Sequence, residues 1–258
     1  MRTTRDIKLF LLDLDGTIYV DNTLINGAKD RIDAIVQSGR QVCYVTNNSS
    51  KSPADYMAKL SQLGITATRE QIYTSGDSAI RFLNSYRRGK RVYLVGTPAL
   101  AQQLRESGVQ LVDSQPDIVL VGYDTTLDYA KLSNAVTYIV QGAEYMVTHS
   151  DINCPAYPVY LPDVGCFVAL IHKSCGQLPT IDCGKPSTLM GDAIASKFNI
   201  DKSQIAFVGD RLYTDIQFAI NNSFLSVLVL SGETSIDMLN ASGLTVDYCL
   251  PSIAQLPI

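Results

Sequence analysis

Residues 7–21 read IKLFLLDLDGTIYVD, and the fold is decided by how that stretch ends. Six residues, almost all apolar, run into two aspartates one residue apart, Asp13 and Asp15, followed by Gly16 and Thr17. An unbroken apolar run suits a strand covered on both faces, the pattern of a parallel sheet, better than an alternating half-exposed strand. Residues two apart in an extended segment point the same way, so the two carboxylates can share a pocket at the strand's carboxyl end.

Similar runs recur at QVCYVT (41–46), RVYLVG (91–96), DIVLVGY (117–123), QIAFVGD (204–210) and FLSVLVLSG (224–232). Helical stretches lie between them. AKDRIDAIVQSG (28–39) ends on Gly39, while SPADYMAKLSQLG (52–64) has Ser52 as N-cap, Pro53 at its first position and Gly64 just past its end. Alternating strand and helix predict an α/β fold with a doubly wound, mostly parallel, Rossmann-like sheet core.

The totals exclude several classes. The chain has 258 residues, 46% hydrophobic and 18% charged, with a formal net charge of −4. No general basic surface advertises nucleic acid or membrane binding. The one basic cluster, RRGKR (87–91), reads as a solvated turn between a helix and a strand. No stretch approaches the roughly 18 apolar residues of a membrane span. The N-terminal apolar run is too short for a signal-peptide core and ends in acid, so a cytoplasmic address is expected. Six cysteines without C-x-x-C pairs argue against a disulfide framework or a zinc site, and two histidines exclude a histidine-rich metal centre.

Ligands of parallel α/β sheets bind at the carboxyl ends of the strands. Three of those ends carry polar residues: Asp13-Leu14-Asp15, Thr46-Asn47-Asn48 and Gly209-Asp210. Three acids with no histidine or thiol beside them describe a hard-cation site, and the oxygen preference of Mg²⁺ fits it. Other groups suit an anion. Thr46 offers a hydroxyl, Asn47 and Asn48 offer amides at the start of a helical segment, and Lys185 supplies a compact positive charge just before another helix. Together they are the parts needed for phosphoryl transfer.

In order, DLDGT, TNNSS, GKP and GDRLYTDI resemble the four motifs of the haloacid dehalogenase superfamily of phosphatases, and more narrowly its NagD and p-nitrophenylphosphatase subfamily. The stretch from Gly122 to Tyr157 is similar to that subfamily's cap domain, so the likeness covers nearly the whole chain. The resemblance implies that Asp13 is the nucleophile, forming an aspartyl-phosphate. It makes Asp15 the acid and base, and it places Mg²⁺ on the side chains of Asp13 and Asp210 and the backbone carbonyl of Asp15. Thr46, the Asn47 backbone and Lys185 would hold the phosphoryl oxygens, and Asp215 would orient metal waters or Lys185 from behind. The chain departs from the family at Thr148-His149-Ser150-Asp151, where cap sequences commonly read TNPD. The resemblance assigns no substrate contact there.

Spacing locates the cap. Only about 30 residues separate Asp15 from Thr46, room for one crossover helix but not for a domain, whereas well over a hundred separate Asn48 from Lys185. The expected division is a core of residues 1–79 and 179–258 with an inserted α/β cap domain, residues 80–178. The expected function is a Mg²⁺-dependent phosphomonoester hydrolase acting on a small phosphate ester, with a nucleotide or a sugar phosphate both open. The resemblance also leaves room for a homodimer formed through the cap. Phosphotransfer to another acceptor uses the same aspartates and stays open, as does a binding protein without catalysis, although binding alone needs no nucleophile.

Competing readings fare less well. A nucleotide-binding P-loop at GKPS fails because Pro179 stands where its first glycine belongs and Pro186 follows the lysine. GDSAI (76–80) lacks the second glycine of a hydrolase nucleophile elbow. His149 and His172 read as structural, with His149 keeping a claim on substrate. Tyr157, Pro158 and Tyr160 are candidates for gating the pocket.

Overall fold

Leu9–Leu12 form a strand, β1, whose four side chains are all buried, as the unbroken apolar run requires. The computed structural model describes residues 3–156 and 159–258, so the candidate gating residues Tyr157 and Pro158 lie outside the described residues. After β1 come a short hairpin of β2 (Tyr19–Val20) and β3 (Thr23–Leu24), then α1 (Ala28–Gln37), β4 (Gln41–Thr46), α2 (Pro53–Gln62) and β5 (Ile72–Thr74). Next are α3 (Ser75–Tyr86), β6 (Arg91–Val95), α4 (Pro98–Glu106), β7 (Gln110–Leu111), β8 (Ile118–Val121), α5 (Tyr129–Val140) and β9 (Glu144–Val147). The chain continues through β10 (Asn153–Ala156), β11 (Val159–Pro162), α6 (Val164–Cys175), β12 (Ile181–Asp182) and α7 (Thr188–Phe198). It ends with β13 (Ile205–Gly209), α8 (Gln217–Asn221), β14 (Leu225–Val229), α9 (Ile236–Ser242) and β15 (Tyr248–Leu250).

These elements form two compact units. The first comprises Met1–Thr46, Tyr56–Tyr73 and Lys185–Ile258. Its six-stranded sheet has the order β15-β14-β13-β1-β4-β5, with β1 parallel to both neighbours. Alternate residues of β1 enter different cores. Phe10 and Leu12 pack with Ile32 and Ile35 of α1 and Tyr56 and Leu60 of α2, whereas Leu9 and Leu11 pack with Met190 and Ile194 of α7 and Phe218 of α8. Helices therefore cover both faces of the sheet, which makes it doubly wound. Each buried leucine contributes roughly 1.5–3 kcal/mol. The start of α2 follows its sequence signal: Asp55 N–H donates to Ser52 Oγ at 3.3 Å, and Ser52 N–H donates to Asp55 Oδ2 at 2.8 Å.

The second unit comprises Asn47–Asp55 and Thr74–Gly184. It has a five-stranded sheet of its own, β12-β9-β8-β6-β7, with parallel pairings, and an antiparallel hairpin of β10 and β11. Its core joins Val95, Val119, Val121 and Val147 of the strands to Ile139 of α5 and Phe167 and Ile171 of α6. RRGKR is the turn between α3 and β6, with Arg88, Gly89 and Lys90 exposed and Arg87 forked onto Glu144 at 2.7 and 2.8 Å. Tyr160, in β11, is 58% exposed. Among the described residues, no helix is long and apolar enough to cross a membrane.

Candidate active site

In the first unit β13, β1 and β4 lie side by side and parallel, so their carboxyl ends meet at one edge. Asp13 directly follows β1, and its N–H donates to the Val208 carbonyl at 2.9 Å. Thr46 closes β4, and Asp210 follows β13. All three are buried. The two aspartates of the opening motif differ sharply in exposure: 12% of the Asp13 side chain is accessible, against 40% for Asp15. Asp15 is therefore open to solvent, and Asp13 is nearly closed to it.

Lys185 is buried, although a lysine chosen at random is exposed. Its ammonium donates to Asp13 Oδ1 at 2.5 Å and to Asp215 Oδ1 at 2.7 Å. Burial alone would favour a neutral amine, but the Asp13 and Asp215 carboxylates outweigh it and raise the lysine's pKa further. Asp215 lies in a π-helical turn, Leu212–Ile216, a local geometry often found at functional sites. That turn brings Asp215 back toward the strand end, where its Oδ2 accepts the N–H groups of Asp210 and Arg211, both at 3.1 Å.

Asp13, Asp210 and Asp215 each bring a carboxylate oxygen to within 4.8 Å of the others, a group that could hold a metal ion. The surroundings fit a cation. Asp210 Oδ2 accepts the Glu233 N–H at 2.7 Å, but Oδ1 is buried with no hydrogen-bond partner among the described residues. Burial, reinforced by the Asp215 charge, pushes the Asp210 carboxyl up to about 7. Burial does the same to Asp13, raising it well above its usual value despite Lys185, with Asp215 and Asp210 adding to the rise. Buried acids under such repulsion require either protons or a cation. Glycines make the room: a Cβ on Gly16 would fall 2.4 Å from Asp210 Oδ2, and one on Gly232 would fall 2.0 Å from it. Gly16 also has φ +82°, where a side chain is strained. The Asp15 side chain is outside this cluster, while Asp215 is inside it.

Sequence reasoning missed Lys59. This α2 residue holds its Nζ 3.9 Å from Asp15 Oδ1 and 3.8 Å from the centre of the Tyr19 ring. A lysine on the polar side of a helix gives no signal along the chain that a carboxylate 44 positions earlier lies beside it.

Asn47 and Asn48 belong to the second unit, where their side chains are engaged. Asn47 Nδ2 donates to Asp151 Oδ1 at 2.8 Å, and Asn48 Oδ1 accepts from the Ser50 N–H at 2.9 Å and the Ser50 hydroxyl at 2.7 Å. His149 has no exposed surface, so it is a structural residue and not a substrate contact in this conformation.

Comparison with known proteins agrees with this geometry. The family described as haloacid dehalogenase-like hydrolase matches residues 10–110, and a second description, HAD-hydrolase-like, matches residues 182–256. An acid sugar phosphatase of Staphylococcus saprophyticus is 30% identical over 253 residues, covering 98% of this chain and 97% of that protein. The structure of a 4-nitrophenylphosphatase from Thermotoga maritima superposes with a TM-score of 0.95 at 35% identity, covering 98% of this chain and 97% of that one. NagD from E. coli K-12 superposes with a TM-score of 0.90 at 28% identity, covering 97% and 98%. The chain belongs to the haloacid dehalogenase-like hydrolases, and it is a phosphatase of the NagD-like kind that its four motifs led one to expect.

Proposed function

We propose that this protein is a Mg²⁺-dependent phosphomonoesterase that works through an aspartyl-phosphate, acting in the cytoplasm on a small phosphorylated metabolite. The observation that carries the reading is the buried Asp13–Lys185–Asp215 chain beside the unpartnered oxygen of Asp210. Lys185 aims the Asp13 carboxylate and opposes part of the rise in pKa that burial imposes on it. The Asp13 carboxylate attacks phosphorus, and the bond from phosphorus to the leaving oxygen breaks. Asp15 donates a proton to that oxygen, then takes one from the water that cleaves the aspartyl-phosphate, so phosphate leaves and both residues are restored. Thr46, the Asn47 N–H and Lys185 bind the transferring phosphoryl oxygens. The side chains of Asp13 and Asp210 and the carbonyl of Asp15 would hold the metal, with Asp215 steadying Lys185. When bound, Mg²⁺ offsets the negative charge of the phosphoryl group. Its all-oxygen ligands, without sulfur or imidazole, favour it over softer ions.

The second unit would serve as the cap that selects the leaving group, which extends the expected insert to Asn47–Asp55 and Thr74–Gly184. Sugar phosphates are the first substrates to try, because the Staphylococcus relative is an acid sugar phosphatase. The test is phosphate release from sugar phosphates, nucleoside monophosphates, phosphoglycolate and pyridoxal 5′-phosphate, with Mg²⁺ and with EDTA. Metal-dependent release from at least one ester is expected. No release from any of them, while calorimetry shows Mg²⁺ bound, would overturn hydrolysis.

Two further outcomes follow from the acid cluster. Asp210 ionises near pH 7 in the metal-free fold but near 3.8 when unfolded, so between those values the folded protein holds the extra proton. Metal-free stability should therefore decline as pH rises from about 4 to about 7, and Asp210→Asn should flatten that decline. Protons and Mg²⁺ compete for the same oxygens, so the rise in Tm given by Mg²⁺ should be small at pH 5 and large at pH 8. A Mg²⁺-induced rise independent of pH would contradict the assignment. Gly232→Ala puts a methyl against Asp210 and should weaken Mg²⁺ by about 10- to 100-fold, read by calorimetry on protein that circular dichroism shows to be folded.

A further inference from the structure

His149 lies within the second unit with no solvent exposure, and both its ring nitrogens face polar atoms. Nε2 is 3.0 Å from Asp163 Oδ1, the carboxylate that also accepts the first N–H of α6 from Val164 at 2.7 Å. Nδ1 is 2.9 Å from Thr148 Oγ1 and 3.4 Å from Ser75 Oγ. Burial opposes a charge on the ring, but the Asp163 hydrogen bond and the charges of Asp163, Asp151 and Asp182 outweigh it and hold the imidazole above its usual pKa.

Ser75 Oγ donates to the Asn47 carbonyl in a short hydrogen bond, so toward His149 Nδ1 it presents only its lone pairs. Thr148 Oγ1 lies 3.0 Å from Ser49 Oγ, which accepts the Tyr123 N–H at 2.9 Å. Asp151, two residues after His149, binds the Asn47 amide. The chain just before Lys185 packs here as well: a Cβ on Gly184 would fall 2.5 Å from His149 Cβ and 2.8 Å from Asn47 Oδ1.

We propose that His149 is a positioning residue for phosphate: through Ser75 and Thr148 it fixes the backbone of Asn47–Ser49 in the conformation that offers the Asn47 N–H to the phosphoryl group. This rests on the reading of Asn47 as a phosphate ligand. It makes His149 a determinant of phosphate affinity without any contact to substrate. Buried hydrogen bonds of this kind hold a ligand group in place at no ordering cost on binding.

The experiment compares wild type, His149→Gln, Ser75→Ala and the double variant, all with Mg²⁺. Calorimetry gives the Kd of inorganic phosphate, and steady-state kinetics on the best ester give KM and kcat. In each single variant Kd and KM should rise about 10-fold while kcat changes less than about 3-fold, in line with the loss of supporting hydrogen bonds at other ligand sites. The double variant should be no worse than the poorer single one, because both changes break the same chain of hydrogen bonds. If His149→Gln fails to fold, Ser75→Ala, which removes one hydroxyl, carries the same prediction. Unchanged phosphate affinity in folded variants, or effects that simply add, would overturn the positioning role and leave the phosphatase reading standing. A wild-type protein that hydrolyses esters but does not bind inorganic phosphate at millimolar concentration would also overturn it. Absence of both binding and hydrolysis would remove the phosphatase reading and this inference with it.

Discussion

Asp13→Asn should lower kcat by at least about 10⁴-fold, the scale on which loss of a nucleophile is felt. The amide matches the carboxylate in shape but has no oxygen able to attack phosphorus, so the fold should survive while the chemistry stops. Stability gives a second, opposite signal. The Asp13 carboxyl carries a raised pKa because burial disfavours its charge and Asp215 and Asp210 repel it. A neutral amide removes that repulsion, so the metal-free variant should melt no lower than wild type at pH 8, even though one partner of Lys185 is weakened. Rapid acid quenching with radiolabelled ester should leave label on wild-type protein and none on the variant. Substantial turnover by Asp13→Asn would show that the nucleophile lies elsewhere.

Lys185→Ala should be the most damaging change to stability at this site. It strands two buried carboxylates, Asp13 and Asp215, whose ammonium partner is itself 3% exposed. Removing one member of a buried ion pair costs about 3–5 kcal/mol. Urea denaturation at pH 7 should show a loss of that order. At pH 5 the loss should shrink, since Asp13 can then take up a proton. Saturating Mg²⁺ should restore part of it by supplying another positive charge. Activity should fall about 10²- to 10³-fold, the usual cost of removing one preorganised donor to a transition-state oxygen. A loss below about 1 kcal/mol at pH 7 would mean that the bonds from Lys185 to Asp13 and Asp215 hold nothing in place.

The two expectations rest on different parts of the chain, and those parts differ in how far the sequence exposes them. Asp13, Thr46 and Asp210 could be read directly. Each ends an apolar run, and in a parallel sheet such ends gather at one edge. The start of α2 was equally plain, because Ser52 and Pro53 satisfy a local rule that tertiary contacts need not confirm. The strand runs were visible too, but not their partners. RVYLV and IVLV pair with each other in the second unit, while IAFV pairs with LFLL of β1 in the first, and nothing in their composition separates them.

The polar residues follow the same division. Lys185 and Lys59 are both lysines on or beside helices, and only packing distinguishes the one that is buried against Asp13 from the one that rides over Tyr19 beside Asp15. Asp215 needed the π-helical turn to reach back to Asp210, and Asn47 needed Asp151, 104 residues away, to take its amide. The sequence by itself determined the principal strands and several of the helices, the edge at which a site would form and the acids available to it. Periodicity and terminal residues act over a few positions, and that is the range on which burial and capping are encoded. Which sheet a strand joined, which acids clustered and what held the Asn47 segment were decided by the tertiary structure, because each depends on hydrogen bonds and charges between residues that only the folded chain brings within reach.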